Sequence, residues 1–334
     1  MNRTVFSFRR THLALLASAA LMLQACSSGS APQQAAEQAP LAPIKVSGSY
    51  WIELSPVLVA ANSFYPTQIT VDEGGIPRIT TGEADLATYA ETQLLRESIR
   101  NPDLRIIMTV TESFYRLVGR KSAGIRTLAD LKGKRIMTPR MTSAHYYLVA
   151  MLRSAGLTED DVTIVPLPRA ENVLASIDLM SDALQKGEVD VISIWEPEPE
   201  DAIHKLGDDA IVLQDRSVYR EVFNLHARAP DLADPEKRRS IVAFVKAVAD
   251  ATEALKKDPE KYWPHVSSVT RYTHEQIGWG WPEMEFPVHI IPDMLDVLDV
   301  EEEWVAKNMN RERRSRDELA KLIDDSVLKE ALAL

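Results

Sequence analysis

Two stretches of the 334-residue chain repeat one pattern 105 residues apart: Gly82-Glu83-Ala84-Asp85-Leu86-Ala87-Thr88-Tyr89 and Gly187-Glu188-Val189-Asp190-Val191-Ile192-Ser193-Ile194-Trp195. Each begins with a glycine turn and an acid, continues as a short apolar run, and ends on an aromatic with glutamate within two residues, Glu91 and Glu196. The pattern predicts a helix stopped by glycine, a turn acid, and a buried strand whose C-terminal end carries the aromatic. In open α/β sheets ligands bind just beyond such strand ends. Two copies in two halves predict two lobes facing one cleft.

The rest of the chain alternates in the same way. Strand-like runs fall at 44–51, 68–72, 84–88, 105–110, 135–138, 162–167 and 189–195, and helical runs at 56–63, 91–99, 143–156 and 170–186. From Asp234-Pro235 onward the pattern is nearly all helical, with a long helix reaching Lys257. Strands alternating with helices, then a helical tail, indicate an α/β fold with mostly parallel sheets.

Between the two echoes lies Ile125-Arg126-Thr127-Leu128-Ala129-Asp130-Leu131-Lys132-Gly133-Lys134-Arg135-Ile136. It resembles the I-x-x-x-x-D-L-K-G-K-x-[IV] signature of type II periplasmic solute-binding proteins. Trp195-Glu196-Pro197 resembles the branch that binds nitrate, taurine, alkanesulfonates and thiamine pyrimidine precursors. The resemblance covers about residues 44–299. It implies a two-lobed fold that closes on a small solute and delivers it to an ABC importer, with permease and ATPase subunits as partners, no cofactor and no catalysis. An enzyme on the same fold, like the thiamine-pyrimidine synthases, and a solute sensor or carrier without an importer are the alternatives. Lobe 1 is expected over 44–120 plus 223–334 and lobe 2 over 121–222, with each sheet mostly parallel and flanked by helices. Two departures, Glu53 within Tyr50–Pro56 and Thr142-Ser143 in place of Gly-Ser, fall at expected ligand loops, so ligand identity does not carry over.

Candidate ligand-binding residues are Trp51, Glu53, Tyr89, Glu91, Arg140, Thr142, Ser143, His145, Trp195 and Glu196. Aromatics stack on planar or apolar solutes, and glutamates accept from amines or ring N–H groups. Trp51 and Glu53 read equally as a core tryptophan and a rim acid. Thr142, Ser143 and His145 open a helix whose free N–H groups suit an anion or a carbonyl, although Ser and Thr also serve as plain caps. Arg140 precedes them and is expected to pair with a ligand anion or with Glu53. Acids outnumber bases here, which favours an uncharged or cationic solute with an apolar or aromatic part.

The composition sets outer limits. With 38 Lys+Arg against 49 Asp+Glu the net charge is −11, which argues against coating nucleic-acid phosphates. No dinucleotide fingerprint, P-loop or HExxH stands in the chain, and its seven histidines form no tight ligand pair. Residues 1–25 carry Arg3, Arg9 and Arg10 before an apolar stretch, Leu13–Leu23, and read as a secretory signal. Leu23-Gln24-Ala25-Cys26 resembles a lipobox, with Cys26, the chain's one cysteine, as the lipidated residue; cleavage there removes three arginines and takes the net charge from −11 to −14. Ser27 leaves sorting to the outer membrane open. Residues 26–43 then read as a flexible tether, spanning on the order of 20–25 Å. The expected location is the periplasm, on a bacterial membrane, with the protein a monomer.

Overall fold

The computed structural model describes residues 40–334; the signal, Cys26 and nearly all of the tether lie outside the described residues. Eleven strands form two sheets. The first holds β1 (Lys45–Gly48), β2 (Thr70–Glu73), β3 (Leu86–Ala90), β4 (Leu104–Ser113), β10 (Glu221–Arg228) and β11 (Met284–Glu285), in the order β11-β4-β10-β3-β1-β2. The second holds β5 (Arg116–Arg120), β6 (Arg135–Met137), β7 (Thr163–Val165), β8 (Val191–Ile194) and β9 (Ala210–Leu213), in the order β7-β6-β8-β5-β9.

The α/β architecture read from the sequence is the one observed. The sheets are mixed rather than mostly parallel as expected: three of the five strand pairs in the first and two of the four in the second are antiparallel. β1 pairs parallel with β2 and β3, while β10 pairs antiparallel with β3 and β4. β6 pairs parallel with β7 and β8, while β5 pairs antiparallel with β8 and β9. The antiparallel members flank the two passages of the chain between sheets, through Phe114-Tyr115 and through residues 214–220. The expected boundary after residue 120 falls just past β5. β5 belongs with the second sheet, because a two-residue link turns the chain out of β4 straight into pairing with β8 and β9. Likewise β10 begins at Glu221, so residues 221–222 sit in the first sheet. The expected helix over 170–186 is two pieces, Val173–Asp178 and Met180–Gln185.

The sequence echo has a physical cause. Asp85 gives its N–H to Lys45 O (2.9 Å) and accepts the Lys45 N–H on Oδ2 (3.0 Å). Asp190 does the same with Arg135: N–H to Arg135 O at 2.8 Å, and Arg135 N–H to Oδ2 at 2.9 Å. Lys45 and Arg135 are the first residues of β1 and β6, the parallel neighbours of β3 and β8. Each acid thus pins the entry of a central strand to the entry of its neighbour. Gly82 and Gly187 precede them at φ 80° and 74°, the left-handed region that lets each preceding helix stop and the chain turn into the strand.

The C-terminal half packs on the first sheet. Asp234 caps the helix Pro235–Lys257 by accepting from the N–H groups of Glu236 and Lys237. Its buried stripe, including Ile241, Phe244, Val245, Val248 and Leu255, joins Val46, Leu86, Ile107 and Phe223 in one core. A second core lies under β5, β6 and β8 and the helix Ser143–Ser154.

Asp190 also gathers the guanidiniums of Arg120 (3.2 Å) and Arg135 (2.8 Å). Burial opposes its ionisation, but Arg135 and Arg120 outweigh that and hold the carboxyl below its usual 3.8. A lowered folded-state value adds stability above the unfolded value, which fades as pH falls through the folded one. Asp190→Ala should lower Tm by about 2–4 °C at neutral pH. By thermal melts the gap to wild type should narrow on acidification below about pH 4; a gap constant across pH would mean the carboxylate is not the pin.

Candidate functional site

The ends of β1, β3 and β8, the start of β10 and the start of helix Ser143–Ser154 converge on one enclosed cavity. Trp51, Glu53, Tyr89, Thr142, Ser143 and Trp195, six of the residues singled out from sequence, line it, together with Tyr115, Glu221 and Phe223 and the first turn of the helix Glu91–Glu97. Its free volume is about 20 Å³, room for roughly one water molecule.

The walls are aromatic. Trp51 follows β1 and Trp195 follows β8, and their rings meet edge to face with centroids 5.0 Å apart. Tyr115, in the first passage between sheets, stands 6.3 Å from Trp195 and shares a 3.0 Å hydrogen bond with Ser143 Oγ. The Trp195 indole N–H is buried with no partner.

The polar lining is acidic. Glu53 is 2% exposed; its Oε1 accepts from Ser113 Oγ at 3.3 Å, while Oε2 has no partner. Burial pushes this carboxyl up from 4.5 to about 7, with Glu196 adding to the push. Glu221 is 4% exposed, with Oε2 unpartnered. Burial first, then Glu53 and Glu91, hold it well above the ordinary carboxylate range. Among the described residues, no Lys, Arg or His lines the cavity. An isolated buried carboxylate is so costly that such groups keep their protons instead. The cavity therefore offers two acids ready to give a proton up when a cation arrives, and aromatic faces of the kind that attract cations.

Four of the expected residues lie elsewhere. Glu91 is fully buried behind the lining, where its carboxylate accepts from the Val222 N–H (2.8 Å) and the Tyr219 hydroxyl (2.5 Å) and so fastens the start of β10. Arg140 is exposed and does not pair with Glu53. His145 turns from the cavity: its Nδ1 accepts the Met141 N–H at 3.2 Å and its Nε2 lies 3.0 Å from Glu159. Glu196 is held by Arg116 Nε at 2.7 Å, in a buried pair where burial still pushes the carboxyl up to about 7. Tyr115, Glu221 and Phe223 were not singled out from sequence. All three sit on or beside the antiparallel strands, and β10, Glu221–Arg228, buries Glu, Asn and His along with its apolar residues, so its sequence marks no wet face.

A family model described as "NMT1/THI5 like" matches residues 71–262. The taurine-binding periplasmic protein of Escherichia coli (strain K12) is 28% identical over 163 residues, 47% of this chain and 46% of that protein. The putative aliphatic sulfonates-binding protein of the same strain is 29% identical over 135 residues, 40% of this chain and 39% of that protein. Both matches span less than half the length of those relatives. Among solved structures, the periplasmic aliphatic sulphonate binding protein SsuA from Escherichia coli superposes with a TM-score of 0.71 at 17% identity, over 87% of this chain and all of that one. The desulfurization enzyme DSZB superposes at 0.64, also at 17% identity, over 87% of this chain and 99% of that one. The fold is thus shared by binding proteins and by an enzyme.

Because Glu53 has a folded-state value near 7 against 4.5 unfolded, the folded protein holds that proton longer, and stability falls as pH rises between the two values. Glu53→Gln removes this loss. By urea melts the variant should be more stable than wild type at about pH 7.5, on the order of 2 kcal/mol, and similar at about pH 4. A variant less stable at the higher pH would show that Glu53 is ionised and paired in the folded state.

Proposed function

This chain belongs to the NMT1/THI5-like family, and from that premise we propose that it is the solute-binding component of an ABC importer, taking a small cationic or amine-bearing molecule with a planar or apolar part. The observation that carries the reading is the cavity itself: two tryptophans and two tyrosines around two buried glutamates, with no basic side chain. Taurine, for which one relative is named, carries an ammonium group at one end. A sulfonate without one would find no base in this lining. Ser143 and the first turn of its helix supply donors for an acceptor group at the solute's other end. Lobes are assigned around the two sheets, 44–115 with 221–334 and 116–220; with room for about one water the cavity is shut, and the lobes part across the two passages to admit the solute and close on it again. The free protein is a monomer tethered in the periplasm by a lipid on Cys26.

An enzyme on the same fold is the second reading, favoured by the likeness to DSZB. Pyridoxal phosphate chemistry needs a lysine amine, and no lysine lines the cavity. A sensor or carrier without an importer would use the same cavity; permease and ATPase genes beside the coding sequence separate it from an importer component.

A thermal-shift screen of amines, heteroaromatics, sulfonates and nitrate tests the ligand class. A solute at a hundred times its dissociation constant adds about 2.7 kcal/mol. Amine-bearing planar solutes should raise Tm, and sulfonates lacking an amine should not; the reverse ranking would overturn the cationic reading. For the strongest hit, Trp195→Ala should raise the dissociation constant about five- to hundred-fold, and because Trp195 is buried against Trp51 and Tyr115 it should also lower the Tm of the free protein, so affinity is read on the folded fraction below that Tm. Unaltered affinity would remove Trp195 from the site. Cys26→Ser should move the protein from the membrane fraction to the soluble periplasm; unchanged membrane association would reject the lipid anchor.

A further inference from the structure

Just past Trp195 in the chain, Pro197 and Glu198 line a second cavity, of about 200 Å³. Asp178, Glu198, Asp201, Lys205, Tyr272 and Gln276 line it. Glu198 opens the helix Glu198–Leu206, which follows β8 of the second sheet. Tyr272 and Gln276 come from the C-terminal part, whose neighbouring Val266 and Ile277 are buried in the core of the first sheet. An occupant would touch both halves of the fold.

The electrostatics of this cavity are unbalanced. Lys205 is its one base, and its ammonium is already committed to Asp182 (2.8 Å), Asp201 (2.9 Å) and Ser181 Oγ (2.7 Å). Glu198 is only 7% exposed; Oε1 accepts from the Tyr272 hydroxyl at 3.2 Å, and Oε2 has no partner. The charged groups around it are Glu196 and Asp201 from its own segment, Asp178 from the helix Val173–Asp178, and the spent Lys205. Burial, then Glu196, push the Glu198 carboxyl well above its ordinary range. An orphaned, buried carboxyl oxygen beside Asp178, an acid outside the Lys205 ion pairs, is a place built for a positive charge. The acids do not serve a metal ion: among the described residues, no three His, Cys, Asp or Glu side chains converge as metal ligands do. The volume lies below that of a drug-sized pocket, so the occupant is a group of a few heavy atoms.

We propose that this cavity is a subsite for a small organic cation, an alkylammonium or guanidinium group, that gives an N–H to Glu198 Oε2 and spans the two halves of the fold. The proposal does not depend on what fills the aromatic cavity.

The probes are methylammonium and methylguanidinium chloride at millimolar concentration, with potassium chloride at equal ionic strength as the control. Carboxyl carbon-13 resonances of glutamate-labelled protein are followed through a pH titration, with Glu198 assigned through bonds from its own backbone in wild type and checked by its loss in Glu198→Gln. Either probe should lower the Glu198 titration midpoint by about one pH unit or more relative to potassium chloride. It should also shift amide resonances in Glu198–Leu206 and His274–Gly280 in wild type and Glu53→Gln, but not in Glu198→Gln. An identical Glu198 midpoint in probe and control would overturn the proposal, even if Glu198→Gln does not fold. So would amide shifts that persist in Glu198→Gln. A response abolished by Glu53→Gln and kept by Glu198→Gln would place the cation in the aromatic cavity instead, leaving the proposed function intact and this subsite refuted.

Discussion

Burying a carboxyl group without a cation costs several kcal/mol unless the group keeps its proton. Glu53, Glu91, Glu198, Glu221 and Glu301 are all under 10% exposed and meet no basic partner among the described ion pairs. Burial raises every one of them above the ordinary carboxylate range. Glu302 provides the contrast: fully buried, it is gripped by Arg311 and Arg314, and despite burial it is held down to about 2. The chain is able to neutralise a buried acid where stability is the issue. Around the cleft it does so for Glu196, which Arg116 holds, but not for Glu53 or Glu221, and that difference is the constraint on which the rest of the arrangement rests.

The backbone topology brings these groups together. Two passages between the sheets, one of two residues and one of seven, run beside the cavity, so that Tyr115 and Glu221 come from the passages or the strands they lead into. Glu91 fastens the second passage by accepting from the Tyr219 hydroxyl and from the Val222 N–H of β10. Gln214 and Arg216 reach back from it to Glu283 of the C-terminal part, each at 2.8 Å. The acids that line the cavity and those that hold the passages are electrostatic neighbours, with Glu221 raised in part by both Glu53 and Glu91. Charge arriving in the cavity is therefore felt where the chain crosses between sheets.

Much of this was legible in the sequence where a physical rule acts locally. Asp85 and Asp190 sit at matched positions because each pins a parallel strand pair, and Tyr89 and Trp195, at the far ends of those two strands, line the same cavity. Other features are set by distant partners and left no local trace. Glu196 looked like the twin of a ligand residue, yet Arg116, 80 positions earlier, claims it. His145 opens a helix as expected, but Glu159 and Trp304 turn its ring away from the cavity. The antiparallel strands were the larger omission. Glu221–Arg228 is buried along nearly its whole length between β3 and β4, which erases the alternation that marks a strand with one wet face.

The central claim is that the cavity acids give up protons to meet a cation. Calorimetric titration with the strongest ligand, run at about pH 6 in buffers of different ionisation enthalpy, counts the protons exchanged on binding. With Glu53 near 7 in the free protein, the account predicts release of close to one proton or more per solute bound, falling as pH rises past neutrality. Binding with no proton exchange, or with uptake, would contradict it.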